Sequence, residues 1–152
     1  MLKKANYTKT ETASKVKREV VIIDAKDQVL GRVASKVAYY LQGKNKANFV
    51  ANIDMGDFVI VLNVGSYSLS GRKITSKVYK RYSGYQGGLR EESFDETVLK
   101  KPAFPLLNAV KGMLPDNKLK KERMNRLFTF MAADYSKAPK EVLEILKTEN
   151  GK

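Results

Sequence analysis

The residues best suited to chemistry lie in one stretch, Gly71 to Arg90, reading G-R-K-I-T-S-K-V-Y-K-R-Y-S-G-Y-Q-G-G-L-R. It carries six Lys or Arg, and no Asp or Glu occurs between Val64 and Arg90. Tyr79, Tyr82 and Tyr85 lie among the cations, with Gly84, Gly87 and Gly88 beside them. The chemistry these types serve is recognition of a polyanion. Cations pair with phosphates and release condensed counterions. Tyrosine offers a flat face to a base and a hydroxyl to a phosphate or ribose. Glycine lets the main chain come close enough for amide N–H groups to reach phosphate oxygens. A basic hairpin with half-buried tyrosines would carry the same residues, so the rest of the chain has to decide.

Catalytic readings fail one by one. Asp54 and Asp57 are the nearest approach to a carboxylate pair, but beside a strand they need not converge, and one is expected to cap a turn while the other opens the strand. Glu91 and Glu92 precede a helix N-terminus, where the helix dipole alone favours acid. Gly65 and Gly71 stand one residue too far apart for a P-loop, and Arg72-Lys73-Ile74 follows where Lys-Ser/Thr is needed. Gly84, Gly87 and Gly88 do not form G-x-G-x-x-G. With no histidine and no cysteine, the commonest general base and the usual transition-metal ligands are both missing. No catalytic residue, metal, cofactor or small-molecule substrate is expected.

The charge balance supports the polyanion. The 152 residues carry 29 Lys plus Arg against 16 Asp plus Glu, a formal net of +13. Such self-repulsion disfavours a compact state unless a polyanion neutralises it. A membrane surface is a poor candidate: the longest apolar run is Phe58–Leu62, and the cations are spread over several segments instead of one amphipathic helix. The N-terminus has no apolar core of signal-peptide type, and a cysteine-free chain fits a reducing cytosol. No zinc-finger spacing, basic zipper or helix-turn-helix stands out, and dispersed basic loops interleaved with tyrosine and glycine suit a folded RNA read by shape and backbone.

The elements that must position these residues follow from periodicity. Residues 1–19 are basic and poor in apolar surface, an arm expected to order only on a partner. Val20–Ile23 reads as a buried strand. Leu30, Val33, Ala34, Val37, Ala38 and Leu41 make one face of a helix that Gly43 stops, and the loop Lys44-Asn45-Lys46 projects beyond it. Asp57–Asn63 is a second apolar strand, so a βαβ unit with parallel strands is expected. Lys77–Tyr82 reads as a third strand. Ser93 opens a capping box with Glu96, and Pro102 ends that helix. Pro105 starts another, and Pro115 closes it. Asn117 is expected to cap a basic helix over Lys118–Arg126, with Leu127–Met131 as the last strand. A tail helix over Pro139–Lys147 has a sticky side of Val142, Leu143, Ile145 and Leu146. The expected organisation is an arm over 1–19, an α/β domain over 20–134 and a helical tail over 135–152.

Six segments, in this order, resemble a known family: V-I-I-D-A (Val21–Ala25), V-L-G-R-V-A-S-K-V-A (Val29–Ala38), L-Q-G-K-N-K (Leu41–Lys46), D-M-G-D-F-V-I-V-L-N (Asp54–Asn63), K-V-Y-K-R-Y-S-G-Y-Q-G-G-L (Lys77–Leu89) and A-V-K-G-M-L-P-D-N (Ala109–Asn117). The chain is similar, from about Lys15 to Met131, to the bacterial large-subunit ribosomal protein family called L thirteen. The resemblance implies a single three-layer α/β domain with a mostly parallel four-stranded sheet between helices. It also implies binding to 23S-type ribosomal RNA, contact with neighbouring large-subunit proteins, an early role in subunit assembly and no catalysis. Carried over by residue, the RNA-facing candidates are Lys44, Asn45 and Lys46; Arg72 and Lys73; Lys80, Arg81, Tyr82, Ser83, Gly84, Tyr85, Gly87 and Gly88; and Lys111, Lys118, Lys120, Lys121 and Arg123. A free module regulating a messenger RNA is the alternative. The departures are the missing histidines near Asn45, Tyr82 and the C-terminus, Lys120-Lys121 in place of Gly-Arg after Leu119, and the ending from Met131 onward. Tail contacts therefore do not carry over, and the tail helix either packs on the domain or meets a neighbouring protein.

Overall fold

A computed structural model describes residues 16–150, so residues 1–15 of the expected basic arm lie outside the described residues. The chain runs β1 (Val20–Asp24), α1 (Leu30–Gln42), β2 (Phe58–Leu62), α2 (Lys73–Ser76), β3 (Val78–Tyr82), β4 (Leu89–Ser93), α3 (Phe94–Lys100), α4 (Phe104–Met113), α5 (Leu119–Asn125), β5 (Leu127–Thr129) and α6 (Lys140–Asn150).

The expected βαβ unit forms. β1 and β5 flank β2, both parallel to it. Because side chains alternate along a strand, β2 feeds two cores at once. Val59 and Val61 face α1 and α4, where they meet the Val33, Val37 and Leu41 face of α1 and Leu106 and Val110 of α4. Ile60 and Leu62 face the other way, onto Val142 and Leu146 of α6. The sheet is thus the middle of three layers, and the tail helix packs on the domain's own sheet.

One feature of the sheet differs from expectation. The strand expected over Lys77–Tyr82 does form, as β3, but it pairs antiparallel with β4 and does not join β2. The expected four-stranded sheet is therefore a three-stranded parallel sheet plus a separate two-stranded hairpin. Exposed Lys80, Arg81 and Tyr82 explain why, since a strand lying within a covered parallel sheet has to bury both faces.

Helix ends follow their local chemistry. Gly43 ends α1 in the left-handed conformation with φ 78°. Ser93 Oγ accepts from the Glu96 N–H at 3.3 Å, the cap of α3. Pro105 occupies the first turn of α4. The cap position of α5 is Lys118, not Asn117, with no side-chain cap; the Asn117 carbonyl instead accepts from the Lys120 N–H at 3.1 Å. No helix among the described residues is long and apolar enough to cross a membrane.

Candidate nucleic-acid interface

The basic stretch becomes the β3–β4 hairpin and its tip. Pairing sets Tyr79 opposite Glu92, Lys80 opposite Glu91, Arg81 opposite Arg90 and Tyr82 opposite Leu89. The Ser83–Gly88 connection closes through Gly88 N–H donating to the Tyr85 carbonyl at 2.9 Å and Ser83 N–H donating to the Gly88 carbonyl at 3.3 Å. A Cβ on Gly88 would stand 2.1 Å from Ser83 Oγ and 2.9 Å from the Tyr85 carbonyl oxygen. The tip thus closes only because that position has no side chain.

Tyr79 anchors the hairpin to the body. Its ring meets Phe104 edge-on at 5.4 Å and lies tilted against Phe94 at 6.4 Å, with Lys77 Nζ 5.1 Å from its centroid. The Tyr79 hydroxyl is buried and has no hydrogen-bond partner among the described residues, and burial pushes its pKa up. Tyr67 extends the cluster, edge-on to Phe94 at 6.5 Å, and its hydroxyl donates to the Pro102 carbonyl at 3.0 Å. Burial first, and then the neighbouring Tyr79, push the Tyr67 phenol up to about 12. One tyrosine of the basic stretch is therefore structural. The other two stand in solvent at the tip, Tyr82 at 64% and Tyr85 at 80% relative exposure.

The remaining hairpin candidates are exposed as well. Lys80 pairs with Glu91 at 2.7 Å on the surface, an attraction that water and salt weaken. Arg81 forms no ion pair among the described residues. Ser83, Gly84 and Gly87 are exposed and Gly88 is half-buried. Arg72 and Lys73, exposed at the start of α2, precede the hairpin, and α2 packs on α3.

Two acids organise the cations elsewhere. Asp57 is fully buried just before β2. It receives Lys46 Nζ at 2.5 Å, Asn45 Nδ2 at 2.9 Å and the Glu19 N–H at 3.2 Å, while Lys46 also donates to the Lys17 carbonyl at 2.6 Å. Of the 44–46 loop, Lys44 is the exposed cation with no ion pair among the described residues. Asp54 takes the Arg126 guanidinium on both carboxylate oxygens, with Arg123 Nε and Arg18 Nη2 each 3.6 Å away. Arg123 is only 2% exposed. The sequence placed it among the RNA-facing cations; the fold turns it inward as a counter-ion of Asp54, because α5 has few apolar residues with which to fill its inner face. Lys111, Lys118 and Lys121 remain exposed. Lys120 is 2.6 Å from Asp116; that hydrogen bond and charge, with Lys111 nearby, hold the Asp116 carboxyl below the usual carboxylate range.

The exposed candidate cations thus lie on the hairpin (Lys80, Arg81) and just before it (Arg72, Lys73), after α1 (Lys44), and on α4 and the start of α5 (Lys111, Lys118, Lys121). Sequence reasoning left out Arg90, Lys100 and Lys101, which lie with the hairpin cations. A hairpin closed at Ser83–Gly88 sets Arg90 opposite Arg81, a register readable from the turn. Lys100 and Lys101 have no comparable local signal.

Comparison with known proteins gives a consistent result. The family model described as "Ribosomal protein L13" matches residues 18–136. A Petrotoga mobilis protein named "Large ribosomal subunit protein uL13" is 46% identical over 130 residues, covering 84% of this chain and 86% of that protein. Proteins of the same name from Syntrophotalea carbinolica and Prochlorococcus marinus are each 40% identical, the first over 138 residues (91% of this chain, 97% of its own) and the second over 133 (88% and 93%).

Proposed function

The chain belongs to the ribosomal protein L13 family, and from that premise we propose that it is a structural constituent of the large ribosomal subunit that binds 23S-type ribosomal RNA and helps the subunit assemble early. The observation that carries this reading is the hairpin. Tyr79 pins it to Phe94 and Phe104, while Tyr82, Tyr85 and Arg81 stand outside the core. A rigid projection bearing cations and flat aromatic faces neutralises backbone phosphates and offers stacking surfaces to unpaired bases. Lys44, Arg72, Lys73, Lys111, Lys118 and Lys121 extend the positive surface over other faces, as burial in a folded RNA requires. Binding is then dominated by phosphate contacts and strongly dependent on salt.

In this reading 20–134 is the RNA-binding domain and 135–152 its tail, while the described end of the expected 1–19 arm is already held by the domain, where the Lys17 carbonyl accepts from Lys46, Arg18 approaches Asp54 and the Glu19 N–H donates to Asp57. The protein works in the cytoplasmic ribosome, with ribosomal RNA and neighbouring large-subunit proteins as its partners. Sedimentation of cell extract in high-salt sucrose gradients, followed by crosslinking and sequencing of the bound RNA, tests this. Recovery with large subunits and crosslinks in 23S-type RNA are the expected result. A pool found mainly free and crosslinked to messenger RNA overturns it in favour of a regulatory module.

A further inference from the structure

Behind the hairpin, between its Tyr79 face and the α3–α4 helices, lies a groove of about 410 Å³, within the range of small-ligand sites, roughly 300–1,000 Å³. Arg81, Arg90, Lys100 and Lys101 line it, with Tyr79 and Phe104 as an aromatic wall. The lining includes one acid, Glu92, which lies 3.4 Å from Lys100. Arg81 and Arg90 stand directly opposite each other across the hairpin, and neither forms an ion pair among the described residues. Like charges paired across strands are destabilising, and an anion seated between them removes that repulsion. Two guanidiniums side by side present planar forks matched to phosphate oxygens.

We propose that this groove holds one unpaired nucleotide of the bound RNA, its phosphate gripped by Arg81 and Arg90 and its base laid against the half-exposed ring of Phe104. The inference rests on the RNA-binding reading above and adds a subsite to it. A duplex is too wide for a concavity of this size, whereas a splayed-out base fits, and unpaired bases stack on aromatic and guanidinium planes. Lys100 and Lys101 take the flanking phosphates. An acidic protein segment would satisfy the arginines but leave the Phe104 face without a flat partner, so the aromatic wall favours a nucleotide.

The test uses the full chain, a fluorescent single-stranded hexanucleotide RNA and its abasic counterpart, with binding followed by anisotropy at several salt concentrations. Arg90→Gln with Lys101→Gln should weaken both ligands and lower the salt slope by roughly 0.7 for each phosphate released from the groove. Phe104→Leu, which keeps the apolar packing, should weaken only the base-bearing RNA, by roughly 5- to 150-fold for the loss of one stack. If these variants bind like the parent while Tyr82→Ala and Tyr85→Ala lose affinity, the groove proposal is overturned and the RNA reading stands. If neither set changes binding, the groove proposal is overturned and the RNA-binding surface lies away from the hairpin; if the parent itself binds neither RNA, the RNA reading falls with it. If a poly-glutamate peptide competes as well as the base-bearing RNA, and Phe104→Leu changes nothing, the groove is a site for acidic protein and the proposal is likewise overturned.

Discussion

Asp54 and Arg126 lie 72 residues apart in sequence, and Arg126 Nη2 comes within 2.6 Å of Asp54 Oδ1 in a two-point ion pair. The pair joins the loop before β2 to the end of α5, with buried Arg123 beside it. Removing the acid leaves two guanidiniums in the interior without a counter-charge. Asp54→Ala should therefore lower the unfolding free energy by about 3–5 kcal/mol, the usual consequence of breaking a buried pair from one side. Asp54→Asn keeps a hydrogen-bond acceptor and should lose less. Urea unfolding at neutral pH measures both, and a loss below about 1 kcal/mol for the alanine variant, the range of a surface pair, would show that water screens the cluster.

Gly56 sits between Asp54 and the buried Asp57, against the end of α1. A Cβ there would lie 1.9 Å from the Leu41 carbonyl oxygen and 3.0 Å from Arg126 Nη2. A main-chain atom cannot turn aside as a side chain can. Gly56→Ala should displace the loop and cost at least the ~1–3 kcal/mol typical of overpacking. It should also loosen the Lys46–Asp57 ion pair, visible as faster amide exchange at Glu19, whose N–H donates to Asp57.

These two relationships mark what could and could not be read in the chain. The α1 face from Leu30 to Leu41, the Gly43 stop and the Ser93 cap are local patterns, and each appears where periodicity and capping chemistry place it. The pairing of Asp54 with Arg126 and the burial of Arg123 have no local signature. Arg123 shares its helix with Lys120 and Lys121, and composition alone treats all three as solvated. The pairing of the hairpin escapes the sequence for a related reason. Val78–Tyr82 has the β-branched and aromatic residue types of a strand, but the partner of a strand is fixed by which faces are buried, and that depends on distant elements. Composition singles out Tyr82 and Tyr85 but does not separate them from Tyr79, because only the positions of Phe94 and Phe104 make Tyr79 an anchor.

Tyr67 links that anchor to pH. Its phenol is pushed up to about 12 by burial and by Tyr79, whereas in the unfolded chain it titrates near 10. Between those values the unfolded state releases a proton that the folded state keeps, so fewer protons are bound on unfolding and stability falls as pH rises. The contribution is complete below about pH 10 and is lost progressively toward about pH 12. Lysines titrate in the same window, so the useful quantity is the stability difference between the parent and Tyr67→Phe. That difference should shift against the parent as pH is raised from about 9 to about 11. A pH-independent difference would mean that Tyr67 ionises in the folded protein as readily as in the unfolded one.

The tip tyrosines and the nearby cations should fail in different ways. Tyr82 and Tyr85 are mostly exposed, so replacing either with Ala should leave folding stability within about 0.5 kcal/mol. If each stacks on a base, its removal should cost about 1–3 kcal/mol of RNA affinity without altering the salt slope. Arg72→Gln with Lys73→Gln should do the reverse, weakening all RNAs alike and lowering the slope by roughly 0.7–0.9 for each phosphate no longer neutralised. The intact protein, if it engages six to ten phosphates, should lose roughly 10³–10⁵-fold in affinity between about 50 and 200 mM salt. Anisotropy titrations over that range separate the contributions. A flat salt dependence would contradict phosphate-dominated binding, and equal small losses in all of these variants would move the RNA-binding surface away from the hairpin, toward Lys44 and the α4–α5 cations.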